Sequence, residues 1–339
     1  MMKKSFVLLI FSIAIFLQSA CAQQEYTLVW SDEFEGEALN TAYWNIEDNA
    51  RGGGNAELQY YSPKNVTIEN HPVTGERCLV LTAQRENYRN RPCTSARLNT
   101  QDKVTVEYGK VEARIAFPHT ADGLWPAFWM LGNNLATNLG DNDDIDTRVK
   151  QLEQEGRVVW PKCGEIDICE MGHVNGIKAG TQDRYFNGAC HWGESFNNGA
   201  YPNVGGFYTA DYPVQGDFHL FTLIWTEDSI AMYLDLDKKP SAISRQHSDE
   251  SVFPDAEPYF QLSLQGKEIN EPGHYFNHPF YLVLNLSVGG FFPEMPAAEK
   301  YPKIITADDP SFRRVTALPA DGSPVKMYVD YIRVFQKRK

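Results

Sequence analysis

Residues 164–171 read Gly-Glu-Ile-Asp-Ile-Cys-Glu-Met, placing three carboxylates, Glu165, Asp167 and Glu170, within one short segment. Side chains alternate along a strand, so Glu165 and Asp167 share a face while Ile166 and Ile168 pack into a core. Strict alternation puts Glu170 on the wrong face. One extra residue in a β-bulge near Ile168–Cys169 returns it to the face of Glu165. Three acids side by side repel one another and cost stability, which argues against a purely structural origin. The reaction that uses such a set is glycoside hydrolysis with retention. One carboxylate attacks the anomeric carbon; another protonates the leaving oxygen and later activates water, with the two carboxyls roughly 5–5.5 Å apart. Four strand steps separate their Cα atoms by roughly 13 Å, so both side chains must lean inward. Asp167, between them, can hydrogen-bond the nucleophile and help push the two glutamate pKa values apart. The alternative is a solvated strand carrying acids by chance, and the apolar, aromatic flanks oppose it.

Strands must position these groups. In 108–117, Val111, Ala113, Ile115 and Phe117 alternate with Lys110, Glu112 and Arg114, a half-buried strand. In 218–226, Phe221, Leu223 and Trp225 repeat the pattern. In 281–288, Leu282, Leu284, Leu286 and Val288 form an apolar face opposite Tyr281, Val283, Asn285 and Ser287. A last strand is expected near 326–335, with shorter runs around 28–34, 57–62, 78–84, 125–131, 164–170 and 189–193. The best helical stretch is 145–155, inside a charged insertion from 133 to 161. A second long connection runs from 237 to 279. These loops carry Trp160, Phe253, Tyr259, Phe260, Tyr275 and Phe276, which suits walls of a groove. The expected fold is all-β, an antiparallel β-sandwich with elaborated rims, and residues 23–339 read as one domain.

The 339 residues hold 31 Lys and Arg against 44 Asp and Glu, a formal charge of −13. That sign excludes nucleic acid as a partner and opposes strongly sulfated polysaccharides. Aromatics make 13 % of the chain, more than a core requires. Zincin, serine-hydrolase, P-loop and dinucleotide motifs are absent from the sequence. Asp141, Asp143, Asp144 and Asp146 lack the glycine and closing glutamate of an EF-hand and read as a solvated acidic loop.

Lys3 and Lys4 precede the apolar run Phe6–Leu17, too short to span a bilayer and of signal-peptide length. Residues 1–22 are therefore expected to direct export, with cleavage before Gln23. Lipidation at Cys21 competes, leaving a secreted, periplasmic or surface-anchored protein. No later segment is long and apolar enough to cross a membrane. Cys78, Cys93, Cys163, Cys169 and Cys190 form no CxxC pair. One bridge or two, or buried free thiols, are both open.

Gly-Glu-Ile-Asp-Ile-Cys-Glu-Met-Gly resembles the signature of glycoside hydrolase family 16, in its laminarinase-like branch. Trp30-Ser-Asp-Glu-Phe34, Gly54-Asn-Ala-Glu-Leu-Gln-Tyr-Tyr61, Thr94-Ser-Ala-Arg-Leu98, Gly109-Lys-Val-Glu-Ala-Arg114 and Gly123-Leu-Trp-Pro-Ala-Phe-Trp-Met-Leu-Gly132 follow in the family's order. Phe280–Gly290 and Val329-Asp-Tyr-Ile-Arg-Val334 complete it. The resemblance implies a β-jelly-roll whose concave sheet forms a groove, and endo-cleavage of β-1,3 or β-1,4 bonds in laminarin-like or mixed-linkage β-glucans. The protein is expected to act as a monomer on its β-glucan partner. It makes Glu165 the nucleophile, Asp167 its helper and Glu170 the acid/base. Cys169 departs from the bulkier apolar residue common in the family, and the two insertions leave subsite preference open.

The same resemblance suggests sugar-binding residues, each with a plainer alternative. Trp125 and Trp129 share a strand face opposite Phe128 and suit sugar platforms, or core. Arg97 fits a partner for sugar hydroxyls or a surface salt bridge. Asn55 and Glu57 resemble an outer-subsite wall, with Glu57 alternatively its brace. Asn285 faces the cleft or hydrogen-bonds in the core. His191 resembles a histidine bordering the catalytic centre, where it would support the Glu170 region, or is structural. Catalysis needs no cofactor. Glu33 and Asp330 match positions of a structural calcium in relatives, or are surface acids. The competing readings are a non-catalytic β-glucan lectin on the same sandwich, and a family member acting on agar, carrageenan or xyloglucan.

Overall fold

Alternation along Phe280–Val288 sends Leu282, Leu284, Leu286 and Val288 into the core, while Tyr281, Val283, Asn285 and Ser287 turn to the opposite face. The same logic builds two stacked sheets in this computed structural model, which describes residues 26–136, 145–196, 199–237, 257–294, 306–310 and 312–337. The outer sheet contains β1 (Tyr26–Asp32), β3 (Tyr60–Tyr61), β4 (Val66–Asn70), β5 (Arg77–Tyr88), β6 (Arg91–Ser95), β9 (Gly109–Ala116), β14 (His219–Trp225), β15 (Ser229–Leu234), β16 (Phe260–Ser263) and β18 (Val325–Lys337). The inner sheet contains β2 (Asn45–Ile46), β7 (Arg97–Asn99), β8 (Thr105–Val106), β10 (Leu124–Gly132), β11 (Glu165–Met171), β12 (Tyr185–His191), β13 (Asn203–Thr209) and β17 (Phe280–Val288). Its order is β13-β12-β11-β10-β17-β7-β2, with β8 beside β17. The strand pairings are antiparallel except β3 with β6, where Tyr60–Tyr61 runs parallel to Thr94–Ser95. This is the expected all-β jelly-roll sandwich.

Residues of both sheets meet in one apolar core, with Phe128, Ile166, Ile168, Phe221, Trp225 and Phe280 buried between them. The five described cysteines are buried and unpaired, so the thiol reading holds for them and the bridges do not. The helix expected at 145–155 is α1 (Ile145–Gln154). Two shorter helices, α2 (Val174–Ala179) and α3 (Pro272–Tyr275), carry no strong sequence signal.

The long connections differ from expectation. Trp160 reaches the groove, but Phe260 opens an added edge strand, and Tyr275 and Phe276 are 3 % and 1 % exposed within the core. Tyr259 packs against the core and its hydroxyl donates to the Ile168 carbonyl. Aromatic content in a loop therefore marks burial as readily as a wall. The signal segment 1–22 with Cys21, the acids Asp141, Asp143 and Asp144, and Phe253 lie outside the described residues.

Candidate active site

The site is built on β11, which two glycines delimit. Gly164 has φ +74°, and a Cβ there would meet the Phe280 ring at 2.7 Å. Gly172 has φ +96°, and a Cβ would stand 2.0 Å from the Leu124 carbonyl oxygen. Both positions exclude a side chain, by conformation and by space. Between them the ladder slips: Asp167 pairs with Ala189, yet Glu170 pairs with Asn187. On the other side Phe128 pairs with Cys169 and Trp129 with Asp167. The bulge falls at Ile168–Cys169, and both side chains are buried in the core.

The slip aligns each carboxylate with a different row across the sheet. Glu165 stands between Leu131 and His191, Asp167 between Trp129 and Ala189, and Glu170 between Ala127 and Asn187. The Glu170 row continues to Asn285 and Arg97 on one side and Phe207 on the other. The three acids line one pocket with Trp125, Trp129, Asn55, Glu57, Arg97, Asn285 and Ser287. The structure thus brings together every expected sugar-binding residue except His191, which adjoins the pocket through Asp167.

Each outer carboxylate has its own donors. Trp160 Nε1 donates to Glu165 Oε2 at 2.9 Å. Glu170 accepts from Trp125 Nε1 at 3.0 Å and from Asn187 Nδ2 at 2.8 Å. His191 Nε2 lies 3.0 Å from Asp167 Oδ2 and 3.9 Å from Glu165 Oε1. Its close contacts lie on the Glu165 side, while the expected support of Glu170 is shared between the His191 imidazole, acting at longer range, and the hydrogen bond from Asn187. Asn187 carried no sequence signal, because an amide's partner across a ladder depends on register.

Burial dominates the electrostatics. Loss of water, then the neighbouring Asp167, pushes Glu165 up to about 8, against the pull of His191 and Trp160. Burial and then Glu170 hold Asp167 well above the usual carboxylate range. Burial also raises Glu170, with Asn187, His191 and Trp125 drawing it back. Three desolvated acids cannot all ionise at neutral pH, so the set retains a proton shared among them.

The remaining candidates form a polar network beneath the pocket. Trp129 Nε1 donates to Asn285 Oδ1 at 2.6 Å, and Asn285 Nδ2 donates to Ser287 Oγ at 2.8 Å. Glu57 Oε2 accepts from Gln59, Tyr61 and Ser287 at 2.7, 2.9 and 3.0 Å, which makes it a brace that also lines the pocket. Arg97 is no surface ion. Its side chain is 17 % exposed, pairs with Glu47 at 2.9 Å, and lies over the Trp129 ring at 4.8 Å. Trp125 stacks on Phe292 at 4.6 Å and 7°. Beyond Arg97 the groove widens into a polar cavity of about 740 Å³ lined by Asn45, Asn49, Asn99 and Gln101 among others. Trp160, Phe196 and Tyr201 cluster at the Glu165 end.

Glu33 and Asp330 do not fit a calcium site. Both Glu33 oxygens accept from Arg333, at 3.0 and 2.8 Å, and Asp330 accepts from Arg114 at 2.6 Å. A hard cation needs six to eight oxygens, and guanidinium groups already occupy these.

The family model for the beta-glucan synthesis-associated protein SKN1/KRE6/Sbg1 matches residues 14–140. A glucan endo-1,3-beta-glucosidase of Cryptopygus antarcticus is 31 % identical over 80 % of this chain and 84 % of its own length. The chain spans about a third of two other relatives, 34 % of the clotting factor G alpha subunit of Tachypleus tridentatus and 38 % of a glucan endo-1,3-beta-glucosidase A1 of Niallia circulans, each 28 % identical. Among solved structures, the Thermotoga petrophila laminarinase catalytic domain is 30 % identical with TM-score 0.61, covering 93 % of this chain and all of that one. With this agreement across the whole sandwich and the carboxylate strand at its centre, the chain belongs to glycoside hydrolase family 16, in its laminarinase-like branch.

Proposed function

We propose that the protein is a retaining endo-β-glucanase acting on β-1,3 or mixed-linkage glucans. The observation that carries this is the bulged strand, which sets Glu165, Asp167 and Glu170 on one face of a groove lined by tryptophans. Glu165 attacks the anomeric carbon while Glu170 gives its proton to the leaving oxygen, so the C1–O bond breaks as the C1–Oε bond forms. Glu170, now ionised, takes a proton from water, whose oxygen displaces Glu165 with net retention. Trp160 holds Glu165 in place with His191 and Asp167 beside it, and the first step needs the shared proton on Glu170 with Glu165 ionised. Indoles and amides along the groove suit the apolar faces and equatorial hydroxyls of glucose.

The names of several relatives, glucanases among them, support a neutral glucan. So does charge: the two groove cavities are lined by seven carboxylates and three Lys or Arg, which disfavours sulfated chains. A second reading draws on a beta-1,3-glucan-binding protein of Penaeus monodon, 30 % identical over 72 % of this chain, and makes the groove a binding site without turnover. Reducing ends released from laminarin, mixed-linkage glucan, xyloglucan and agarose decide the matter. Oligosaccharides from either of the first two are expected, and their relative rates name the preferred substrate. Activity on the last two alone keeps the chemistry and overturns the substrate. Binding to glucan without release would establish the second reading.

A further inference from the structure

Glu165, Asp167 and His191 have a property that hydrolysis does not require. Glu165 Oε, Asp167 Oδ and a ring nitrogen of His191 lie within 4.8 Å of one another, and Asp167 is only 3 % exposed. Asp167 Oδ2 accepts no hydrogen bond, and His191 Nδ1 is likewise buried without a partner. His191 Nε2 faces Oδ2 at 3.0 Å and Glu165 Oε1 at 3.9 Å. Trp160 occupies the other oxygen of Glu165, which turns Oε1 toward the imidazole. No Lys or Arg ion pair reaches any of the three acids of β11 among the described residues. The pocket is thus a desolvated, electron-rich corner in which the imidazole is the close neighbour of a buried carboxylate oxygen that no other donor reaches.

We propose that Glu165, Asp167 and His191 bind a divalent cation of the Zn²⁺, Co²⁺ or Cu²⁺ class, and that the bound ion closes the site to substrate. Zn²⁺ takes imidazole nitrogen and carboxylate oxygen at about 2.0–2.2 Å, and three protein ligands leave a fourth position open. The separations of 3.0 and 3.9 Å bracket the roughly 3.3 Å between ligand atoms that tetrahedral geometry at those lengths implies. Glu165 and Asp167 line the groove pocket, so the open position would be reached from it. Nitrogen ligation selects this class over Ca²⁺ and Mg²⁺, which take oxygen. The ion would cap the Glu165 oxygen proposed to attack the sugar, so metal and substrate exclude each other.

Metal binding rests on the geometry of the corner and is read independently of whether glucans are cleaved; exclusion of substrate rests on the role proposed for Glu165. Titration of the protein with Co²⁺ near neutral pH should reveal one saturable site with visible absorption, displaced by Zn²⁺ and abolished by EDTA. His191→Ala and Asp167→Asn should each weaken binding by at least about tenfold. Should those variants not fold, peptide-mapped carbethoxylation of the unaltered protein serves instead: Zn²⁺ should shield His191, and Ca²⁺ should not. Absence of saturation at millimolar metal, equal affinity in folded His191→Ala, or carbethoxylation of His191 unaffected by Zn²⁺ overturns the proposal.

Discussion

Trp160 and Glu165 are joined by a 2.9 Å hydrogen bond from the indole nitrogen to a carboxylate oxygen, although Trp160 belongs to the loop and Glu165 to the strand. The bond favours the ionised carboxylate, against a burial that favours the acid. Trp160→Phe removes the donor and keeps the ring. The Glu165 pKa then rises, so the acidic limb of kcat/KM, which requires the carboxylate, moves to higher pH. A hydrogen bond to a charged group contributes about 1.5–3 kcal/mol, so activity on the plateau should fall by roughly ten- to a hundredfold. A pH–rate profile unchanged in shape would refute this role.

The two glutamates should separate by chemical rescue. Glu165→Ala loses the proposed nucleophile, and added azide can attack only from the vacated side, giving the α-glycosyl azide. Glu170→Ala loses the acid/base but keeps the covalent intermediate, so azide gives the β product. Glu170→Ala should cut turnover of natural glucan by about 10²–10⁴, less for substrates with a good leaving group. Product anomers read by NMR check both assignments, and identical anomers from the two variants would contradict them.

Acid crowding should cost stability. Glu165 binds its proton more tightly folded, with a value near 8, than in the unfolded chain, near 4.5. Between those values the native state holds the proton the unfolded chain has released. Stability contributed by this group is therefore present at low pH and lost as pH rises toward 8. Glu165→Gln removes the charge and should stabilise the protein near pH 8 by on the order of 1–3 kcal/mol, with little effect near pH 4. Thermal unfolding at the two pH values tests the sign.

Gly172→Ala should be severe without touching the chemistry directly. At φ +96°, with the Leu124 oxygen 2.0 Å from the added Cβ, the strand end cannot accept a methyl group unmoved. Loss of at least about 2 kcal/mol is expected from conformation and clash together. Denaturant unfolding checks it, and a neutral result would show that the turn relaxes freely.

Arg97→Lys should behave as a loss. The guanidinium spans Glu47 and the Trp129 ring, and an ammonium cannot both stack and pair in that geometry. If Arg97 orders the sugar-binding face, KM should rise several-fold with kcat nearly unchanged, as measured by initial rates on oligosaccharides.

The sequence alone determined the sandwich, the carboxylate strand and even the bulge. Each follows from local periodicity: alternation of period two sorts core from groove, and the five-residue interval between Glu165 and Glu170 violates it unless one residue is inserted. The same reasoning reached Trp125 and Trp129, because side chains four apart on a strand share a face, whereas Arg97 is singled out only by resemblance to the family. What tertiary structure decided is partnership. That Asn187 serves Glu170, that His191 turns to Asp167, that Glu47 holds Arg97, and that Arg333 and Arg114 claim Glu33 and Asp330 all depend on which strands become neighbours and in what register. The loop aromatics show the same limit, since Trp160 walls the groove while Phe276 fills the core. Hydrophobicity states that such a ring is buried somewhere, but not against what, because burial is non-directional whereas hydrogen bonds between side chains distant in sequence exist only after the sheet has aligned them.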